Sequence, residues 1–152
     1  MKTVDRRRVR APAERVYRTA AAVDRWPQIL SHYRWVVLEG RDGDAEIVEM
    51  AAWRPFGLFK YPTWWRSRMW ADPETLTVRY RHIDGVTTGM DVEWQLLPDG
   101  GETEVTIVHQ WAGPRWPIIS RPAADWIIGP LFVSAIASRT LAGLGRYLES
   151  RE

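Results

Sequence analysis

Cysteine is absent from the 152-residue sequence, which excludes disulfides, thiolate metal sites and a cysteine nucleophile. Histidine is scarce, and His32, His82 and His109 are too widely spaced to form the paired ligands of a zinc helix. No apolar run has the length of a membrane span, and the N-terminal segment MKTVDRRRVR lacks the hydrophobic stretch of a signal peptide. We therefore expect a cytoplasmic protein without a metal or other cofactor and without integral membrane association.

Charge of one sign is not in large excess, because 21 basic residues stand against 19 acidic ones that are interspersed among them. The one dense basic run, RRRVR at residues 6–10, alternates in the manner of a strand edge at the terminus. No recognition-helix pattern follows it, so we expect no nucleic-acid partner.

Aromatic residues are abundant and biased, with 10 Trp against 3 Phe. A core that needs only volume would use Leu or Phe, because a buried indole N–H requires a hydrogen-bond partner. The bias favours a binding cavity. The segment DRWPQILSHYRWV at residues 24–36 leaves two interpretations: Trp26 and Tyr33 line the closed end or rim of that cavity, or they only pack the helices onto the sheet.

The order of elements predicts an α+β fold. Residues 3–10 form a strand, a first helix opens at Pro12, and a second short helix opens with Asp24 as N-cap and Pro27 in its first turn. Period-two segments joined by short turns then predict an antiparallel meander: 35–38, 45–53, 63–71, 75–83, 89–97 and 103–111. A long helix from about 122 to 149, interrupted near Gly129 and Pro130, ends the chain.

The last helix carries one apolar stripe, formed by Val133, Ile136, Ala137, Thr140, Leu144, Tyr147 and Leu148. One helix cannot fill the concave face of a strongly curved seven-stranded sheet, so the pattern predicts a hydrophobic cavity between them. Small residues on the helix, Gly143 and Gly145 among them, either enlarge this cavity or allow close packing on the sheet.

Strand alternation predicts which side chains face the cavity. The inward set includes Tyr80, His82, Met90, Trp94, His109 and Trp111. In 63–71 alternation alone leaves two faces open, and we favour Trp65, Ser67 and Met69 as the inward one, because burying Arg66 and Arg68 without anions would be costly. The opposite parity turns four arginines away from the cavity unless a bulge reverses them: Arg66, Arg68, Arg79 and Arg81. The apolar pocket would then contain few polar groups, namely the imidazoles of His82 and His109, Tyr33 and Ser67. Such a composition is typical of a ligand site.

Several motifs carry a family resemblance that covers essentially residues 1–152: APAERVY, VDRWPQILSHY, GMDVEW, TEVTIVH and GPLFVSAIASRTL. The chain resembles the polyketide cyclase/dehydrase branch of the START-like, Bet v 1-like superfamily, in particular its single-domain aromatase/cyclases. The resemblance implies one domain with the helix-grip fold, in which a curved sheet wraps a long C-terminal helix. It also implies cofactor-independent aldol cyclisation and dehydration of a poly-β-ketone held on an acyl carrier protein.

Such chemistry needs a positioned base and acid in a shaped cavity. The resemblance implies that His82 takes the methylene proton, while Tyr33 or His109 donates to the carbonyl oxygen and to the departing water. The resembled aromatase/cyclases project arginines into the cavity, whereas here Met69 and His82 stand at the matching inward positions. Substrate contacts would come from Trp26, Trp65, Ser67, Met69, Tyr80, Met90, Trp94 and Trp111.

Three alternatives stay open at the level of sequence. The protein is either such a cyclase or a non-catalytic binding or transport protein for a lipid, a quinone or another hydrophobic molecule. The apolar segment RPFGLFKYP at residues 54–62 is a lid over the cavity, or it contacts a membrane surface or a partner. The oligomeric state is open, a homodimer included.

Overall fold

The protein is described by a computed structural model over residues 2–56, 58–85, 87–112 and 133–150. Seven strands make up one antiparallel sheet, and their bounds in chain order are β1 Lys2–Val9, β2 Tyr33–Asp42, β3 Ala45–Phe56, β4 Phe59–Asp72, β5 Thr77–Gly85, β6 Asp91–Asp99 and β7 Glu102–Gln110. The spatial order is β1-β7-β6-β5-β4-β3-β2, so the first two strands of the chain lie at opposite edges. The predicted helix-grip sheet is confirmed.

The two short helices that connect these edges are α1 (Ala13–Ala21) and α2 (Trp26–Ile29), with a 3-10 turn at Val23–Arg25 between them. Pro27 lies in the first turn of α2, as predicted. The prediction of Asp24 as N-cap is wrong, because Asp24 lies inside the 3-10 turn and Arg25 occupies the cap position without a side-chain bond. Helix α3 (Ser134–Glu149) ends the chain, and residues 122–132 of the predicted long helix lie outside the described residues.

The pleat of the central strands follows the predicted alternation. Tyr80 and His82 are buried on one face of β5, while Arg79 and Arg81 are exposed on the other. A bulge does occur between β4 and β5: Arg66 pairs with Asp84 but Ser67 pairs with His82. The extra residue belongs to β5 and follows His82, so the bulge leaves the inward parity of β4 unchanged.

The apolar segment at 54–62 is not a loop. Strand β3 continues to Phe56 and β4 begins at Phe59, and these two residues pair at the tip of the hairpin. Leu58 at this tip is 100% exposed, so its side chain covers nothing. Backbone pairing continues through the apolar residues, so this segment is a hairpin that extends the sheet.

Helix α3 packs closely against its neighbours over its C-terminal half. A methyl group on Gly143 would lie 2.5 Å from Cδ2 of Leu30, and one on Gly145 would lie 2.7 Å from Nε of Arg7. A larger residue at either position would have to displace the Leu30 or Arg7 side chain, so the two glycines allow close packing, and neither borders the cavity. The space between sheet and helix is confined to the N-terminal half of α3, where Ala137 and Thr140 face it.

Candidate functional site

A cavity lies between the concave face of the sheet, helix α2 and the first turns of α3. Its volume is about 70 Å³, and its lining is made by Trp26, Tyr33, Met50, Trp65, Tyr80, His82, Thr87, Met90, Val92, Trp94, Ile107, His109, Val133, Ile136, Ala137 and Thr140. Eight of the eleven side chains predicted from the sequence therefore border one space. Three catalytic candidates, Tyr33, His82 and His109, are among them.

The cavity is smaller than the sequence suggests, because its own aromatic rings occupy much of the space. The Trp26 ring lies 5.1 Å from that of Tyr33 and 5.6 Å from that of Trp94, measured between centroids. Tyr33 in turn lies 6.2 Å from Trp65 at an angle of 70°. Pockets for drug-sized ligands have volumes of roughly 300–1,000 Å³, so an organic guest requires these rings or α3 to move.

Trp26 lines the cavity and also packs the helices together, which are the two roles that the sequence left open. Its indole Nε1 donates to the carbonyl oxygen of Thr19 at 3.1 Å, which ties α2 to α1. Its ring, only 2% exposed, borders the cavity at the same time. The two interpretations of this residue are therefore compatible, since one edge of the indole bonds to backbone while the ring contributes to the wall.

His82 is held in a fixed orientation. Its Nδ1 lies 2.6 Å from the hydroxyl oxygen of Thr87, and its ring stacks on Trp65 at 5.9 Å with an interplanar angle of 5°. Nε2 has no hydrogen-bond partner among the described residues. Burial lowers the pKa of His82 to about 3, and the neighbouring His109 adds to this shift. The imidazole is therefore neutral at neutral pH, with one nitrogen left for a ligand.

Two further polar groups of the lining lack a protein partner within the described part of the chain. The Tyr80 hydroxyl and His109 Nδ1 are both buried without a hydrogen bond. Burial lowers the pKa of His109 to about 4 and raises the pKa of Tyr80 well above its usual value. Because an unpaired buried polar group is costly, such atoms are the ones that a bound molecule would satisfy.

Tyr33 lies on the other side of the cavity. Burial raises the pKa of its hydroxyl, and a hydrogen bond with Thr140 opposes that rise in part. The phenol therefore stays protonated and can donate a hydrogen bond. Sequence reasoning placed Thr140 only in the apolar stripe of the last helix, because a hydroxyl at helical spacing gives no sign of the side chain it contacts.

Ser67, Met69 and Trp111 are buried, as predicted, but they do not border the cavity. Ser67 pairs with His82 in the β4–β5 register and so lies beside the imidazole–indole stack. Trp111 donates from its indole to the carbonyl oxygen of Thr88 at 3.0 Å, so its polar edge is tied to the turn before β6. Alternation identified the face of these residues but not what covers them.

The central arginines lie on the outer face of the sheet, as predicted. Arg66 Nε lies 3.0 Å from Glu39, and its Nη1 lies 3.1 Å from Asp84. Arg68 pairs with Asp42 at 2.8 Å, and Arg81 pairs with Asp91 at 3.1 Å. No arginine is among the residues that line the cavity within the described ranges. The arginines of the described strands therefore contribute no guanidinium group to the cavity lining.

Neither a metal cluster nor a membrane-spanning helix is present in the described part of the chain. No group of three or more His, Asp or Glu side chains is arranged there to hold a metal ion. No helix within these residues is long and apolar enough to cross a bilayer.

Known proteins resemble this chain in sequence and in fold. Residues 9–125 match the family described as "Polyketide cyclase / dehydrase and lipid transport". The actinorhodin polyketide synthase bifunctional cyclase/dehydratase of Streptomyces coelicolor is 33% identical over 107 residues, which cover 69% of this chain. The aligned part is 33% of that relative, so the chain spans about a third of its length.

Two solved structures share the fold over nearly the whole chain. The Zhui aromatase/cyclase from Streptomyces sp. R1128 superposes with a TM-score of 0.82 at 18% identity, over 99% of this chain and 94% of that one. A START superfamily protein from Mycobacterium smegmatis gives a TM-score of 0.76 at 11% identity, over 99% of both chains. With the fold, the cavity and the family match in agreement, this chain belongs to the polyketide cyclase/dehydrase family.

Proposed function

We propose that this protein is an aromatase/cyclase that binds a poly-β-ketone in the cavity and promotes its aldol cyclisation and dehydration. The observation that carries the proposal is the polar pattern of an otherwise aromatic lining: His82 Nε2, His109 Nδ1 and the Tyr80 hydroxyl have no partner among the described residues. A ligand that carries several carbonyl oxygens would supply partners to such groups. The sequence relative named as a cyclase/dehydratase supports the same reaction class.

In this proposal His82 is the base. The role requires the tautomer in which Nδ1–H donates to the Thr87 hydroxyl 2.6 Å away, so that the Nε2 lone pair can take a proton from a methylene between two carbonyls. An imidazole whose pKa is about 3 is a weak base in the resting site. Negative charge that develops on the ligand raises this pKa during the reaction, and a donor on the carbonyl oxygen makes the methylene more acidic. The base therefore works only together with an acid.

Tyr33 is the acid, with His109 as the second candidate donor. The carbanion formed by His82 attacks a second carbonyl carbon, a carbon–carbon bond forms, and the Tyr33 proton passes to the oxygen. The protonated His82 returns the proton lost by Tyr33 through the new hydroxyl. In the dehydration His82 removes a second α-proton while Tyr33 gives its proton to the departing hydroxyl, which leaves as water. The proton on His82 then returns to Tyr33, so atoms and charges balance.

Ligand entry depends on side chains that can adapt. Met50 and Met90 border the cavity, and the unbranched thioether chain changes shape at little cost. We infer that the substrate arrives as an acyl-carrier-protein thioester in the cytoplasm, since the sequence relative is named as part of a polyketide synthase. Holding the reacting carbons together in the cavity would supply most of the rate, because it removes an entropic barrier.

The experiment adds the purified protein to a ketosynthase and an acyl carrier protein that make a free poly-β-ketone chain, and identifies the products by mass spectrometry. Wild-type protein should convert a mixture of spontaneously cyclised products into one aromatic product. His82→Asn and Tyr33→Phe should each lower its rate by about 100-fold, the typical worth of a positioned proton transfer. The exposed control Arg81→Gln should leave the rate unchanged.

Affinity is measured in parallel by quenching of tryptophan fluorescence with the isolated aromatic product, since Trp26, Trp65 and Trp94 border the cavity. We expect both variants to bind within about threefold of wild type. An unchanged product mixture with wild-type protein would overturn the proposal. Equal losses of turnover and affinity in both variants would instead favour a non-catalytic carrier.

A further inference from the structure

His32 lies behind the cavity wall, in the turn that joins α2 to β2. It is only 7% exposed and borders an outer groove together with Arg139, whereas it is not among the residues that line the cavity. Its Nε2 lies 3.0 Å from the hydroxyl oxygen of Thr140, which does line the cavity. This hydrogen bond therefore crosses the wall between the groove and the cavity.

The hydrogen positions follow from counting at Thr140. A threonine hydroxyl has one hydrogen and two lone pairs. The hydrogen is directed to the carbonyl oxygen of Ile136 at 2.8 Å. His32 must therefore donate from Nε2, which fixes its neutral tautomer. Thr140 also acts on Tyr33, since its side chain partly offsets the rise that burial causes in the pKa of that phenol.

His32 is a neutral donor rather than a cation. Burial lowers its pKa to about 4, and the positive charge of Arg139 adds to the shift. Its ring also packs against Tyr33, with centroids 4.8 Å apart at 58°. The backbone holds the turn in place, because the Trp53 amide donates to the His32 carbonyl oxygen at 2.6 Å. The donor is thus fixed in position and in protonation state.

We propose that His32 is a positioning residue that acts through Thr140 to make Tyr33 a stronger hydrogen-bond donor to the ligand. When the Thr140 hydroxyl turns from the Ile136 carbonyl towards Tyr33, the donors align in one direction. His32 then donates to Thr140, Thr140 to Tyr33, and Tyr33 to a carbonyl oxygen in the cavity. Each bond polarises the next, and no proton needs to pass between His32, Thr140 and Tyr33.

The aligned donors would supply what the cavity lacks. An oxygen that gains negative charge in the reaction needs preorganised donors, and no arginine borders the cavity within the described residues. This inference rests on the proposed role of Tyr33 as donor. It adds two residues that take no direct part in the reaction: His32, which does not border the cavity, and Thr140, which does.

The first test is kinetic and uses a linear diketone that closes to a conjugated cyclohexenone, which is followed by its ultraviolet absorbance. His32→Leu removes the donor and should lower kcat by about tenfold, the worth of one hydrogen bond at the transition state, with KM changed by less than about twofold. His32→Gln keeps an N–H donor and should recover most of this loss. Gln28→Ala, in the same outer groove, is the control and should behave as wild type.

The kinetic outcomes separate the two proposals. Equal losses in His32→Leu and His32→Gln would show that the side chain serves packing alone, and wild-type kinetics in His32→Leu would show that it has no role. Either result overturns the donor chain while leaving the cyclase proposal intact. If wild type converts neither the diketone nor the carrier-bound chain, the cyclase proposal is overturned. The second test then decides whether the donor chain exists.

The second test needs no turnover. The Nε2–H signal of His32 is followed by nuclear magnetic resonance while nitrophenolate, whose oxygen anion mimics the reacting oxygen, is added. Binding in the cavity should move this signal downfield in wild type and leave it in place in Tyr33→Phe, although the ligand does not touch His32. An unchanged signal in wild type with bound nitrophenolate, or the same shift in Tyr33→Phe, overturns the donor chain. Absence of nitrophenolate binding to wild type also overturns it, because the cavity then offers no donor to an oxygen anion.

Discussion

The neutrality of His82 predicts a specific dependence of stability on pH. Burial and the neighbouring His109 lower its pKa in the folded protein to about 3, whereas an unfolded histidine titrates near pH 6.5, approximately its model-peptide value. Below about pH 6.5 the unfolded chain therefore binds a proton that the folded protein does not bind. Stability contributed by the neutral ring is fully present above the unfolded pKa and is lost as the pH falls towards the folded one.

The magnitude follows from the two pKa values. Between about pH 7.5 and about pH 5 the unfolded state gains roughly 2 kcal/mol from protonating one histidine, while the folded state gains almost nothing. His82→Asn keeps a polar group near Thr87 but cannot titrate. Over this interval the free energy of unfolding should therefore fall by about 2 kcal/mol less in His82→Asn than in wild type.

The measurement is urea unfolding followed by circular dichroism at both pH values, for wild type, His82→Asn and the exposed control Arg81→Gln. Carboxylates that titrate in this interval contribute alike to wild type and His82→Asn, so they cancel in the comparison. Arg81→Gln should show the wild-type dependence on pH, because this side chain is exposed. Equal dependences in wild type and His82→Asn would mean that folded His82 already accepts protons near pH 6, and the dry, neutral site would be refuted.

Two further predictions concern stability. Gly85 has a φ of +99°, and a methyl group there would lie 2.6 Å from the Trp64 carbonyl oxygen, so Gly85→Ala should lower the unfolding free energy by about 1–3 kcal/mol. A methyl group at Gly101 would meet nothing within 4 Å, so Gly101→Ala should change the unfolding free energy by less than about 0.5 kcal/mol in the same urea titration. Similar effects at both sites would show that the backbone at Gly85 relaxes freely. The fully buried Ser67 hydroxyl has no partner among the described residues, so thermal unfolding of Ser67→Ala should show stability unchanged or raised by up to about 1 kcal/mol. A loss beyond about 1 kcal/mol would reveal a hydrogen bond of Ser67.

The faces of the strands could be predicted because a pleated strand alternates with a period of two. Tyr80 and His82 were placed inward by this rule, and Met90 and Trp94 likewise, and all four border the cavity. The alternation rule does not say how far along a strand a residue lies from the cavity, or which neighbouring side chains cover it. That is why Met69, buried on the correct face, proved to lie outside the lining.

The contact of His32 with Thr140 could not be predicted, because it joins residues 108 positions apart. His32 lies in a turn without periodicity, and Thr140 shares its helical spacing with ordinary core residues. The volume of the cavity was equally out of reach. This volume depends on how the rings of Trp26, Tyr33 and Trp65 pack against one another, whereas the composition shows only that such rings are present.

The polar groups that line the cavity within the described part of the chain are all uncharged at neutral pH. The pKa values of His82 and His109 are lowered and those of Tyr33 and Tyr80 are raised, in each case chiefly by burial. The guanidinium groups of the same strands pair with carboxylates on the outer face, where water lowers the cost of their charge. Charge would therefore arise inside the cavity only while a ligand reacts. In so poorly solvated a space, a fixed neutral donor stabilises that transient charge far more than it could in water.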